Sequence, residues 1–312
     1  MAIERLEPPE RFFEEEERDG FVVAAKMKRA WAVQLQVLSM IDEICVRHGL
    51  RWWADFGTML GAVRHRGYIP WDDDIDIAVP RADYMRLIPI LAAELPSFCK
   101  VWSLQLDPHY TMLSTFVANR ENVDTGESAE EARITEFYYN CPYVAGVDIY
   151  PMDAVPTDRE QRDLWVELLA AVYYAANGYD SVCAAGDLEA RLMSIEEATG
   201  VHLPRGEESR YALWLLAEQL SMIYPREEAD GCLWTPELVT CAADRVRPFA
   251  TCDELLRVPF EYLEIPVPAG HAVHLKKRFG EWSVAVKGGS AHDYPFYKRQ
   301  DAYIKSRQEA VS

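Results

Sequence analysis

The segment Trp71-Asp72-Asp73-Asp74-Ile75-Asp76-Ile77-Ala78-Val79 constrains this chain more than any other. From Asp74 onward, acidic and aliphatic residues alternate, which is the period of a strand. The spacing predicts a strand over Asp74–Val79. Both carboxylates would share one face, with Ile75, Ile77 and Val79 on the other, toward a core. Neighbouring carboxylates repel each other. One reading of the pair is exposed strand acids. The other is ligands of a divalent cation, since Mg²⁺ binds through one or two carboxylates together with substrate phosphates.

The chain has 312 residues, 49 % of them hydrophobic, so it can bury a core of its own and is not a disordered polymer. Its net charge of −19 argues against general DNA or RNA binding, because a phosphate backbone would repel it. Arg64, His65 and Arg66 gather beside the acidic motif, so an anionic small ligand remains compatible. Seven cysteines at wide spacing, without C-x-x-C, fit reduced thiols better than a disulfide framework or a zinc ribbon. There is no run of about eighteen apolar residues that would span a membrane. The first residues are acidic, unlike a signal peptide. A cytoplasmic protein is expected, with peripheral membrane contact left open.

Along the chain, residues 1–25 read as an acidic leader. Met27, Trp31, Leu35, Leu38, Ile41 and Cys45 recur at helical spacing, and Gly49 is the expected stop. Leu50–Phe56 reads as a strand, with Trp52 and Trp53 in or near the core. Gly57-Thr58 reads as a turn, and Thr58 as the cap of a short helix running to Arg66 and closed by Gly67. A helix is expected from Arg81, broken or kinked at Pro89. Strands are expected over Lys100–Leu106, Met112–Ala118, Tyr143–Tyr150 (ended by Pro151) and Phe260–Val267. Asn119–Arg133 reads as a loop or lid. Residues 157–245 read as a largely helical insertion, Ala269–Phe279 as a short helix capped by Gly280, and 301–312 as a tail. The class is α/β (α+β): a mixed sheet flanked by helices, with a largely helical C-terminal half.

A strand, a Gly-Thr turn, a short helix and then a strand bearing Asp-x-Asp is a specific order. The turn brings backbone amides close to a phosphate, and the helix N-terminus adds its positive dipole end. Val147-Asp148-Ile149 supplies a third carboxylate, alone on its face between two β-branched residues.

The unbroken block from Gly57 to Asp76, Gly57-Thr58-Met59-Leu60-Gly61-Ala62-Val63-Arg64-His65-Arg66-Gly67-Tyr68-Ile69-Pro70-Trp71-Asp72-Asp73-Asp74-Ile75-Asp76, resembles the signature of the LicD family, which includes fukutin-type relatives. Val147–Asp153, Phe260–Pro268 and Lys276–Trp282 resemble its further blocks, so the similarity covers roughly residues 30–295. The resemblance implies a nucleotidyltransferase-like fold over residues 26–300. It also implies transfer of phosphocholine, or a related alcohol phosphate such as ribitol phosphate, from a CDP-activated donor (CDP-choline or another CDP-alcohol) to a hydroxyl of a cell-surface glycan. Lys287-Gly288-Gly289 and His292-Asp293 fall outside the general signature and leave the donor open.

By position, Asp74 and Asp76 are expected to hold Mg²⁺, or Mn²⁺ as the alternative. Asp148 is either a shared ligand or the base for the acceptor hydroxyl. Gly57 and Thr58 would meet phosphate, and Arg64 would clamp it with its planar fork. His65, Trp71, Asp73, Lys287 and His292 are further candidates for substrate contact, and Asp72 for orienting the loop. Asp153 reads as structural. Lys276, Lys277 and Arg278 read as a solvated helix end from which one side chain can reach phosphate. His271 and His274 read as packing rather than as a metal pair. An aromatic cage for choline would draw on Tyr138, Tyr139, Tyr143, Tyr150 and Trp282. Two other functions share this site: transfer of a nucleotide onto a small acceptor, and non-catalytic nucleotide binding.

Overall fold

The computed structural model describes residues 4–240, 245–287 and 294–311. Its elements in chain order begin with β1 (Glu16–Arg18), β2 (Phe21–Val23), α1 (Ala25–His48), β3 (Trp53–Ala54), α2 (Phe56–His65), β4 (Asp76–Pro80) and α3 (Arg81–Glu94). Next come β5 (Lys100–Trp102), β6 (Thr115–Ala118), α4 (Ala129–Phe137), β7 (Gly146–Pro156), α5 (Arg159–Asn177), α6 (Tyr179–Ala185), α7 (Leu188–Thr199) and α8 (Glu208–Ser221). The last are β8 (Ala229–Leu233), α9 (Thr235–Thr240), β9 (Arg247–Pro248), α10 (Phe249–Cys252), β10 (Leu255–Phe260), β11 (Leu263–Pro268), α11 (His271–Phe279) and α12 (Lys298–Val311). None of these helices is long and apolar enough to cross a membrane. The six described cysteines are free thiols.

The class is mixed α/β, as expected. One seven-stranded sheet runs β3-β4-β7-β6-β5, with β8 pairing to β7 and β9 to β8. The β4–β7 pair is parallel, and the other pairs in the sheet are antiparallel. Ile77, Val79, Val147, Ile149 and Val117 line one face, where α1 and α3 cover them in the main core. The alternate positions Asp76, Asp148 and Tyr150 lie on the opposite face. A second core forms among α5, α7, α8 and α9 together with Leu104, Leu113 and Val155. Within the stretch expected to be helical, β8 returns the chain to the sheet.

Helix α1 stops at Gly49 (φ 63°), whose N–H reaches the carbonyls of Cys45 and Val46. It is not a surface amphipath: Lys28, Gln34 and Gln36 are buried along with its apolar residues. Its second side is covered by the segment expected to be a leader, which buries Phe12 and forms the β1–β2 hairpin.

Several boundaries differ from the sequence expectation. Strand β3 holds only Trp53 and Ala54, and Phe56 already belongs to α2. Pro89 sits inside α3 on its exposed side without ending it. Pro151 does not end β7 either. The Asp148 N–H donates to Ile75 O on the β4 side, so the position-151 nitrogen faces away from β4. There, β6 pairing stops at Ile149 and β8 pairing starts at Asp153, so no ladder bond is lost. The loop expected at Asn119–Arg133 contains the start of α4, capped by Ser128, whose hydroxyl accepts the Glu131 N–H. Positions read as a tail belong to α12, which buries Ile304 against the main core. Strand β11 is half of a hairpin with β10, and its turn residue Glu261 clamps the loop after α2. Its carboxylate accepts from the Tyr68 N–H at 3.1 Å and from Arg18 at 2.5 and 3.0 Å.

Candidate active site

A cleft of about 650 Å³ opens over the polar side of β4. Its floor carries Asp72, Asp74 and Asp76, and its walls include Gly57, Arg64, Trp71 and Arg278. Asp76 is the first residue of β4, while Asp74 lies in the preceding loop, outside the strand in which it was expected. The parallel register sets Asp76 directly beside Asp148 of β7. Paired residues of neighbouring strands point to the same face, so their carboxylates stand about one strand spacing apart, roughly 5 Å. Asp148 is half-buried and is not among the residues that line the cleft.

The charge density of this floor is high. Burial, followed by repulsion from Asp74, Asp148, Asp72 and Asp55, holds the Asp76 carboxyl well above the usual carboxylate range. Burial and Asp74 do the same to Asp72. Tyr150, hydrogen-bonded to Asp76, is raised as well, by burial first and then by Asp76, Asp148 and Asp74. Carboxylate oxygens of Asp72, Asp73 and Asp74 all lie within 4.8 Å of one another.

The acidic loop is held from behind by α1. Trp31 Nε1 donates to the Asp72 carbonyl at 3.1 Å, and Gln34 Nε2 to the Asp73 carbonyl at 2.8 Å. Tyr68 stacks on Trp31 with ring centroids 4.3 Å apart, and its hydroxyl donates to Gln34 Oε1 at 2.9 Å. None of these three reads as a site residue in the sequence, although Trp31 stands in the helix repeat and Tyr68 in the family block. The available signal was Gln34, a polar residue on a buried helix face, which demands a partner.

Gly57 and Thr58 are the first turn of α2 rather than a turn before it. Asp55 is the cap, with Oδ1 accepting the Phe56 N–H at 2.7 Å, and Phe56 takes a left-handed φ of 43° to enter the helix. Arg247 pairs with the other oxygen of Asp55, and both residues are buried. A Cβ at Gly57 would lie 2.5 Å from Asp72 Oδ2, so the glycine makes room for that carboxylate. Gly57→Ala is expected to displace Asp72 and lower turnover by about tenfold or more with little change in melting temperature. Parallel steady-state assays and thermal melts check this, and unchanged turnover would contradict it.

The other expected contacts divide. Arg64 lines the cleft, but its Nη1 donates to the carbonyls of Trp282 (2.9 Å) and Val284 (3.3 Å), tying down the segment after α11. The Thr58 hydroxyl accepts the Asp76 N–H at 2.8 Å, so it steadies the start of β4 and does not face the cleft. His65 pairs with Asp19 of the β1–β2 turn at 2.9 Å, outside the cleft lining, and burial lowers its pKa. One oxygen of the buried Asp73 accepts the Phe296 N–H and pins that segment. Trp71 and Lys287 line the cleft. His292 lies outside the described residues.

Asp153 accepts a two-pronged pair from Arg81 (2.6 and 2.9 Å) and the Thr235 hydroxyl (2.6 Å), a structural role. His274 Nε2 meets Thr251 Oγ1 at 2.6 Å, and His271 Nδ1 meets the Pro268 carbonyl at 2.9 Å, so each has its own local partner. Of the aromatics that could contribute to a choline cage, most take the packing role that was their default reading. Tyr138, Tyr139 and Tyr143 are core residues, Tyr150 serves Asp76, and of that group Trp282 alone lines the cleft. Aromatic residues that the sequence did not indicate take their place: Phe21, Phe56, Phe279 and Tyr294. Arg278 is not simply solvated. Its guanidinium carbon stands 4.0 Å from the Phe56 ring centroid, and Nη1 pairs with Glu237 at 2.6 Å.

A family model described as LicD/FKTN/FKRP, nucleotidyltransferase domain, matches residues 49–166. The lipopolysaccharide cholinephosphotransferase LicD of Haemophilus influenzae is 30 % identical over 132 residues, 40 % of this chain and 44 % of that protein. The human ribitol 5-phosphate transferase FKRP is 30 % identical over 80 residues, 24 % of this chain and 16 % of that protein. The uncharacterized protein RP689 of Rickettsia prowazekii is 41 % identical over 56 residues, 18 % of this chain and 21 % of that protein. The chain thus spans less than half the length of these curated relatives. Residues 49–166, which contain Asp74, Asp76 and Asp148, therefore match the nucleotidyltransferase domain of the LicD family.

Proposed function

We propose that the chain is a metal-dependent transferase that moves phosphocholine, or a related alcohol phosphate, from a CDP-activated donor to a hydroxyl of a cell-surface glycan or its precursor. The observation that carries this reading is the cross-strand register of Asp76 with Asp148, where Asp76 lines a cleft that also holds Asp72 and Asp74. That pair lies inside the segment matched by the family, and two relatives are named for transfer of choline phosphate and of ribitol 5-phosphate.

The donor atoms are all hard carboxylate oxygens, crowded enough to be driven toward protonation. Such a cluster fits Mg²⁺ or Mn²⁺ better than a soft metal. In this reading Asp74 and Asp76 hold the ion, with Asp148 as the third carboxylate and Asp72 supporting them. Bound there, Mg²⁺ neutralises charge on the transferred and leaving phosphates.

An oxygen of Asp148 takes the proton of the acceptor hydroxyl. The hydroxyl oxygen then bonds to the phosphorus that carries the alcohol. The bond from that phosphorus to the bridging oxygen breaks, and CMP leaves with the electron pair. The first turn of α2 presents its positive end to the same cleft at Gly57. Arg64 and Arg278 add fixed positive charge to its walls.

CMP release from CDP-choline, CDP-ribitol, CDP-glycerol and CDP-ethanolamine tests the proposal, using free hexoses and N-acetylhexosamines as acceptors. At least one donor is expected to release CMP with Mg²⁺, to stop with EDTA, and to leave the acceptor heavier by one alcohol phosphate. An acceptor heavier by CMP would replace this reading with nucleotidyl transfer. No release from any of the four donors would overturn it.

A further inference from the structure

One corner of the cleft already holds a cation of the chain's own. Lys287 Nζ stands 4.7 Å from the centroid of the Phe21 ring. Phe21 meets Trp71 at 6.1 Å and 71°, and Tyr294 at 5.8 Å and 76°. Resting on the reading of the cleft as a CDP-alcohol site, we propose that Phe21, Trp71 and Tyr294 form the subsite that reads the donor's alcohol. We further propose that the subsite selects a quaternary ammonium, and that Lys287 is a built-in occupant which this group displaces.

The ring geometry favours a cation over a nucleobase. Near-perpendicular rings make a box, whereas a base stacks on a flat, parallel face. Ring faces carry negative potential and attract ammonium groups. A primary ammonium is strongly hydrated and gives up water reluctantly. A trimethylammonium group brings methyl surface as well as charge, so it gains more from the aromatic walls. Lys287 lies in an exposed stretch, residues 283–287.

The corner is a built structure. Phe21 rides on the β1–β2 hairpin, fixed by Arg18 to Glu261 and by Asp19 to His65. Tyr294 is held through the Phe296 N–H bond to Asp73. Of the four residues, Trp71 alone lies within residues 49–166 matched by the family. The subsite is therefore assembled largely from segments outside the shared domain, where donor preference can differ without touching the carboxylates.

Calorimetry of CDP-choline and of CMP, each with Mg²⁺, tests the proposal on the full chain and on Phe21→Leu and Lys287→Ala. Phe21→Leu is expected to weaken CDP-choline about tenfold and to leave CMP within about twofold, which also reports that the variant is folded. Lys287→Ala is expected to tighten CDP-choline severalfold and leave CMP unchanged. Equal weakening of both ligands by Phe21→Leu would assign the corner to the nucleotide and overturn the inference alone. Weaker CDP-choline binding by Lys287→Ala would make the lysine a phosphate ligand and overturn it as well. Tighter binding of CDP-ribitol than of CDP-choline by the unaltered protein would overturn the cation preference while sparing the transferase reading. Binding of no CDP-alcohol at all would remove both.

Discussion

Asp76→Asn is expected to reduce transfer by about 10³-fold in kcat/KM, while the metal-free protein melts no lower than the unaltered one. The two halves of this result have one cause. Asp76 is buried beside Asp148 and faces Asp74 and Asp72, so its charged form is disfavoured in the folded state. A carboxyl whose folded pKa lies above its unfolded value destabilises the fold once the pH exceeds the unfolded pKa, and the penalty grows until the folded pKa is passed. At neutral pH the asparagine variant escapes that penalty. It keeps an oxygen for Tyr150 and the same backbone N–H bond to Thr58. What it loses is the charge that, in the proposed reading, would hold a divalent ion. CMP release and differential scanning calorimetry, run with and without Mg²⁺, measure both halves. Added Mg²⁺ should raise the melting temperature of the unaltered protein and move the variant much less. Retained turnover in Asp76→Asn would sink the metal-site reading.

Arg247→Met is expected to be the most destabilising of the substitutions considered, by about 3–5 kcal/mol. Arg247 and Asp55 are both buried and form an ion pair below the N-terminus of α2. Removing the arginine leaves Asp55 charged, dry and close enough to Asp76 to add to its repulsion. The double change Asp55→Asn/Arg247→Met removes the stranded charge and keeps an oxygen to cap Phe56, so most of the loss should return. Urea denaturation of the single and double variants decides this. A single variant as stable as the unaltered protein, or a double variant no better than the single, would contradict the assigned role.

The strand pattern was legible in residues whose partners are dictated by local period. Asp148 stands out because it separates two β-branched residues, and Gly49 because it closes an apolar helix repeat. Pro151 misled because the rule that proline ends a strand assumes a neighbour on the side of its nitrogen, and this sheet has a gap there. Asp74 was placed in a strand because alternation starts two residues before the point where pairing begins. The aromatic corner was legible only in Trp71 and Lys287. Phe21 meets both Trp71 and Tyr294 from distant parts of the chain, and no period links them. The same holds for the Gln34 bond to the Asp73 carbonyl. The glutamine advertises a need for a partner but not its address.

The parallel pairing of β4 with β7 also bears on the order of folding. Asp76 and Asp148 sit in register across it, yet α3, β5, β6 and α4 lie between them in the chain. Closing so long a loop carries its entropy penalty before the contact gives anything back, so a parallel pair of this kind forms late. Until that ladder closes, the two acids are far apart and repel nothing. A newly made chain is thus spared the buried charge until the sheet around it is in place. In the proposed reading, a divalent ion would then meet a finished site and not seed its assembly.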